Sequence, residues 1–263
     1  MPKHIQRLKM TIAYNGQAYQ GWQSQTHGNT VQDRLESALE EILQRAVPAH
    51  GAGRTDAGVH ALRQCAHADV NTDRLLPWQW RNAINAHLPP DIRILHCSAT
   101  SEAFHARFSA TGKHYRYNIW NATVLHPLQN GRAWHLPKKI DIETLCTNAA
   151  QFIGEHDFAA FAANRGKPGE NTVRTIYSVS VKKRGSLMTL SFTGNGFLYH
   201  MVRLMVGTLV RSAHERSAPD YIHKLLNSEG KTPFCAPACG LYLVRVLYGQ
   251  GPGARANPNE KPS

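Results

Sequence analysis

Negative charge is in short supply in this chain. Its 263 residues carry 18 Asp and Glu against 30 Lys and Arg, a formal +12 before any of the 15 histidines is protonated. A pI near 9.7 points to a polyanionic partner, most often a nucleic acid, with plain solubilising charge as the alternative. A membrane surface would attract the same charge, but neither end carries a basic amphipathic helix. Long hydrophobic runs are missing too. The longest, Phe197 to Val210, is interrupted by His200 and Arg203 and is too short to span a bilayer. The opening residues, Met1 to Lys9, lack the apolar stretch of a secretory signal. Cysteine is sparse and odd in number: Cys65, Cys97, Cys146, Cys235 and Cys239 fit a reducing compartment better than a disulfide framework. A cytoplasmic protein without membrane attachment is expected.

Ligand-binding signatures are also absent. Cys235 and Cys239 have a spacing that some metal sites use, but no second pair or nearby histidine completes four ligands. His60, His67, His105, His114 and His200 contain no His-Glu-x-x-His arrangement. The glycine-rich run from Gly51 to Gly58 has neither the Gly-Lys-Ser/Thr ending of a phosphate loop nor dinucleotide spacing. No metal and no cofactor are expected.

What is present suffices for one large or two modest domains, since 42% of the residues are hydrophobic. Alternation predicts strands over 8–14, 64–70, 92–97 and 113–120. Between them, Thr30 with Asp33 reads as a helix cap ahead of an apolar face at Val31, Leu35, Ala38, Leu39, Ile42 and Leu43. Pro77 opens a second helix, closed by Leu88-Pro89-Pro90. Trp22, in a loop over 21–25, reads as an exposed indole. Further on, Asp141 caps a helix, strands over 173–181 and 187–193 flank a basic turn, and helices follow over 197–213 and 219–227. A last strand is expected over 241–248, and the Gly-, Pro- and Asn-rich residues 250–263 read as a disordered tail. The pattern alone predicts an α+β fold with helices on one side of an antiparallel or mixed sheet.

The most informative run is Gly51-Ala52-Gly53-Arg54-Thr55-Asp56-Ala57-Gly58-Val59-His60-Ala61. It sets one carboxylate among small residues on a glycine-rich bend, with Arg54 close enough in sequence to keep it ionised. Asp56 is thus a candidate nucleophile or base; the plainer alternative is an Asp that only caps a turn. A second run, Phe104 to Ala110 leading into Lys113-His114-Tyr115-Arg116-Tyr117, interleaves rings with cations, as RNA stacking and phosphate contact require. An ordinary half-buried strand would look similar. In the 197–213 helix, Leu198, Val202, Met205 and Leu209 form an apolar stripe, and His200, Arg203, Gly207, Arg211 and His214 a polar one. Arg203 is either solvated or turned inward onto a carboxylate, since a buried guanidinium needs an acceptor.

The stretch Arg54 to His60 resembles the catalytic loop of the tRNA pseudouridine synthase A family, whose aspartate is essential. Residues 199–207, 104–117, 236–243 and 16–25 are similar to further motifs of that family, and the likeness as a whole runs from about 8 to 248. The resemblance implies that Asp56 is the catalytic residue, that Arg203 pairs with it, and that Tyr115, not Tyr117, packs on the target base. It also implies that Leu241 forms an apolar floor and that Arg54 helps to hold a flipped-out nucleotide. The implied fold is two ferredoxin-like halves, here 1–120 and 121–249, joined in one continuous, mostly antiparallel sheet with helices on one face and the catalytic cleft between the halves. The implied activity is isomerisation of uridines 38, 39 and 40 in the anticodon stem-loop of tRNA by a homodimer without a cofactor. Phe158-Ala159-Ala160-Phe161 departs from a more polar family segment. A non-catalytic RNA-binding protein of the same fold and a metal-dependent hydrolase are the rivals.

Overall fold

The computed structural model describes residues 5–26, 28–70, 75–163, 171–215, 220–227 and 230–249. The expected tail over 250–263 lies outside the described residues, as does the predicted start of a helix at 219.

Strand β1 (Gln6–Tyr14) buries every second side chain, and the capping box of Thr30 with Asp33 starts α1 (Val31–Leu43). Helix α1 ends at Gln44, whose left-handed φ of 53° closes it. Next come β2 (Ala49–Gly51), β3 (His60–Val70), α2 (Pro77–His87), β4 (Ile92–Thr100) and β5 (Ala110–Asn121). The remaining elements are β6 (Trp134–Leu136), α3 (Ile142–Ala150), β7 (Gly154–Asp157), β8 (Val173–Arg184), β9 (Leu187–Gly194), α4 (Met201–Glu215), α5 (Tyr221–Leu226) and β10 (Leu241–Tyr248).

Among the described residues, ten strands join one sheet, ordered β4-β1-β3-β10-β5-β9-β8-β7, with β2 added on β3 and β6 on β5. Its pairings are antiparallel except β3 with β10 and β5 with β6. The last strand in the sequence therefore lies in the middle of the sheet, between β3 and β5. Registers set Met10 opposite Ala66, Leu243 opposite both Ala61 and Tyr115, and Tyr117 opposite Leu190, which gives one continuous apolar face. The inner stripes of the helices cover it: Leu35 and Leu39 from α1, Trp80 and Ile84 from α2, Leu145 from α3, Met205 and Leu209 from α4. Each such side chain contributes about 1.5–3 kcal/mol by leaving water.

Two expectations change, and three short strands were not foreseen. Helix α4 begins at Met201 rather than 197, because Met201 N donates to the Leu198 carbonyl at 3.1 Å and His200 takes a φ of 61°. That turn, not the apolar content of 197–200, sets the start. Trp22 is 2% exposed, not an open indole. Its ring occupies the space a side chain on Gly51 would need, so the glycine serves packing inside the protein. The short strands β2, β6 and β7 have three or four residues each, too few to show a period.

On the opposite face of the sheet, Lys9 stands over the rings of Phe104 and Tyr248, at 4.7 and 4.4 Å. His67 packs there against His50 and His105, and its Nδ1 accepts from Ala106 N at 3.2 Å. Burial first, then the neighbouring imidazoles, push the His67 pKa down from 6.5 to about 4.

Two outcomes follow from this packing. A methyl group on Gly207 would overlap the Phe234 carbonyl, which cannot swing away as a side chain could. Gly207→Ala should therefore lose about 1–3 kcal/mol in urea unfolding. Because the folded pKa of His67 lies below its unfolded value, the unfolded chain binds the proton more tightly, and stability is lost as pH falls from 6.5 towards 4. The drop in urea midpoint between pH 7 and pH 5 should be smaller in His67→Gln than in the wild type; equal drops would clear His67 of this effect.

Candidate active site

The loop over 52–59 connects β2 to β3 where β3 changes partner. Strand β3 pairs with β2 through Ala66, His67 and Ala68, but with β10 through His60 and Ala61. The loop stands over the gap and is fastened from several sides. Ala52 N donates to the Cys65 carbonyl at 2.8 Å, and Gln64 Nε2 to the Gly53 carbonyl at 2.9 Å. The Tyr14 hydroxyl meets Thr55 Oγ1 at 2.9 Å, and Trp22 N donates to the Thr55 carbonyl at 3.1 Å. Val59 N closes a turn onto the Asp56 carbonyl at 3.1 Å, with Gly58 at a φ of 78°, a conformation that glycine adopts without strain. Residues 16–25 thus act as a buttress for the loop that carries Asp56.

Arg203 Nη1 donates to Asp56 Oδ2 at 3.0 Å, with side chains 15% and 18% exposed. A second bond, from Arg203 Nε to the Ala236 carbonyl at 2.8 Å, fixes the guanidinium plane, and Ala236 N returns a bond to the Arg203 carbonyl at 3.0 Å. Of the two orientations open to Arg203, the chain uses the inward one. Partial burial strengthens the pair relative to one in water, and two hydrogen bonds on the guanidinium offset its desolvation. Arg54, nearest in sequence, is exposed and forms no ion pair with Asp56. The cation that holds Asp56 comes instead from 147 residues away.

Tyr115 is 7% exposed, and its ring meets Phe197 edge-on at 5.0 Å. Burial foremost, then Tyr14 and the negative charge of Asp56, push its phenol pKa up, so it stays neutral. Among the described residues no hydrogen bond engages its hydroxyl. Tyr117, two residues on, is tied instead into the core by a 2.7 Å bond to the Pro237 carbonyl. Leu241 is 6% exposed, opens β10 and lies opposite Tyr117. The short helical turn Ala238–Gly240 before it brings Ala238 against Gly58 of the loop.

Two neighbours were not singled out from the sequence as part of the site. His200 Nε2 lies 3.4 Å from Asp56 Oδ2. Its signal was its place three residues before Arg203 on the same polar stripe. Lys113 ends beside Gly53, and burial, followed by Arg107 and Arg174, pushes its pKa down to about 8. Its signal was alternation, since residues 113 and 115 share a face of β5. At the rim, Phe108 is 77% exposed with the Arg107 guanidinium 5.7 Å from its ring, an open stacking surface beside a cation. Among the described residues no three His, Cys, Asp or Glu side chains are grouped to hold a metal ion, and no helix is long and apolar enough to cross a membrane.

The profile of the family described as tRNA pseudouridine synthase matches residues 10–109 and 149–249. The tRNA pseudouridine synthase A of Akkermansia muciniphila is 45% identical over 251 residues, 92% of this chain and 95% of that one. Its counterpart from Methylacidiphilum infernorum is 40% identical, over 91% of this chain and 94% of the relative. The one from Geotalea uraniireducens is 41% identical, over 93% of this chain and the whole of the relative. With likeness of that extent, and over the segments that build the Asp56 site, the chain belongs to the tRNA pseudouridine synthase family and is an isomerase.

Proposed function

We propose that this protein converts uridine to pseudouridine in the anticodon stem-loop of tRNA, at positions 38, 39 and 40, with Asp56 as the reacting group. The observation that carries the proposal is a single carboxylate held by Arg203 at 3.0 Å from the far half of the chain, with a buried neutral tyrosine beside it.

The reaction breaks the bond from C1′ to N1, turns the uracil and joins C1′ to C5. N1 gains a proton and C5 loses one, so atoms and electrons balance without an oxidant or an energy source. Asp56 would attack C1′, take the 2′ proton or add at C6. Each route begins from a carboxylate held against the nucleotide, and Arg203 fixes where that carboxylate lies. Tyr115 would pack on the uracil while it turns, and its undissociated phenol adds no charge to repel the carboxylate. Leu241 would floor the pocket with apolar surface. Arg54, exposed two residues from Asp56, would meet a phosphate of the flipped-out nucleotide.

Taking the base out of its stack costs a few kcal/mol. Contacts between the basic surface and the phosphates offset that cost and orient the RNA without reading its sequence. Recognition by RNA shape would suit uridines at several neighbouring positions. The protein would act as a homodimer in the cytoplasm.

Tritium release from tRNA labelled at uracil C5 tests the chemistry. The wild type should release tritium without added metal or cofactor, from transcripts whose only labelled uridines lie at positions 38 to 40. Asp56→Ala and Asp56→Asn should abolish release while still binding tRNA, and Arg203→Ala should lower turnover more than binding. Turnover retained in both Asp56 variants would remove that residue from the mechanism and favour a protein that only binds RNA. Binding should weaken steeply as salt is raised, because phosphate contacts release counterions.

A further inference from the structure

Among the described residues, three other than glycine have a positive φ: Asn29 at 61°, Gln44 at 53° and His200 at 61°. Two have ordinary explanations. Asparagine tolerates the left-handed region, and Gln44 closes the C-terminus of a helix, where that conformation is common. His200 has neither. It is the third residue of the turn from Leu198 to Met201, a place that a type II turn gives to glycine or asparagine. A side chain with a Cβ is strained there, and such strain persists where the surroundings enforce it, often at functional sites.

The surroundings here are specific. Ala163 N donates to the Tyr199 carbonyl at 3.2 Å, and Leu204 N to the His200 carbonyl at 2.9 Å, so the turn is pinned on both sides. The imidazole stacks on Tyr199, with ring centres 3.9 Å apart and planes at 29°. Its Nε2 then lies 3.4 Å from Asp56 Oδ2, the oxygen that Arg203 Nη1 meets at 3.0 Å. Among the described residues nothing hydrogen-bonds Oδ1 of Asp56.

We propose that His200 is a positioning residue of the reaction: its Nε2–H and the Arg203 guanidinium grip Oδ2 together, so that Asp56 presents Oδ1 to the nucleotide. This role presupposes Asp56 as the reacting group, as proposed above. The groups that face the imidazole are Asp56 from the loop, Arg203 from α4 and Tyr199 from its own turn. Burial pushes its pKa down, Asp56 draws it back up and Arg203 lowers it again, leaving it below 6.5 and the ring neutral at pH 7. A neutral donor steers the carboxylate without cancelling the charge that makes it reactive. The 3.4 Å approach is looser than a formed hydrogen bond and should tighten when substrate fills the cleft.

The test uses the full-length protein with His200→Gly, His200→Asn and Asp56→Asn. Both His200 replacements suit the backbone, but only asparagine keeps a donor. His200→Gly should melt at or above the wild-type temperature and keep the wild-type KM for tRNA. Its kcat should fall roughly tenfold to a hundredfold, the scale expected when a reacting group is poorly oriented. His200→Asn keeps a donor, but its shorter amide cannot reach Asp56 Oδ2, so its kcat should stay as low as that of His200→Gly. A His200→Gly enzyme with wild-type kcat, or one whose loss lies in KM or in a lower melting temperature, overturns the proposal. An active Asp56→Asn enzyme overturns instead the assignment of Asp56 itself.

Discussion

The ion pair between Asp56 and Arg203 is the contact around which the rest of the site is arranged. It joins two segments 147 residues apart and leaves both side chains mostly shielded from water. The guanidinium lies against the carboxylate, and its bond to the Ala236 carbonyl helps to fix its plane. Three parts of the chain thus meet at one guanidinium: the β2–β3 loop, the first turn of α4 and the lead-in to β10.

The sheet makes that meeting possible. The final strand inserts between β3 and β5, so residues 236–240, just before it, are drawn up against the loop that carries Asp56. Strand β3 exchanges β2 for β10 at this point, which frees the loop from the ladder while both its ends remain in the sheet. The loop is consequently held by Tyr14, Trp22 and Gln64 rather than left mobile. The glycines in and beside it serve this packing: Gly51, at the end of β2, makes room for Trp22, Gly53 lies against Lys113, and Gly58 takes the turn.

Electrostatics divides the labour. The excess of cations is spread over the chain and favours a polyanion. At the centre, burial keeps the neighbouring tyrosine neutral and lowers the pKa values of Lys113 and His200. His200 is thereby left neutral at pH 7, while Lys113, at about 8, keeps its proton and adds a second cation beside the loop.

The sequence by itself determined the elements long enough to show a period: the strands with alternating apolar residues, the helix capped by Thr30 and Asp33, and the one begun by Pro77. It also singled out Asp56, Tyr115 and Arg203, because a motif is a local pattern and each lies in one. Position in space was not local. Whether Arg203 faced water or a carboxylate, and whether Trp22 was open or buried, depended on which distant segment came to cover them. Neighbours in sequence misled here: Arg54 forms no ion pair with Asp56, while a cation from α4 reaches it. The start of α4 and the strained φ of His200 arise from bonds to Leu198 and Ala163 and from the site around them. Only the tertiary structure decided those points, because a hydrogen bond or an ion pair is fixed by distance between atoms, and the folded sheet sets that distance.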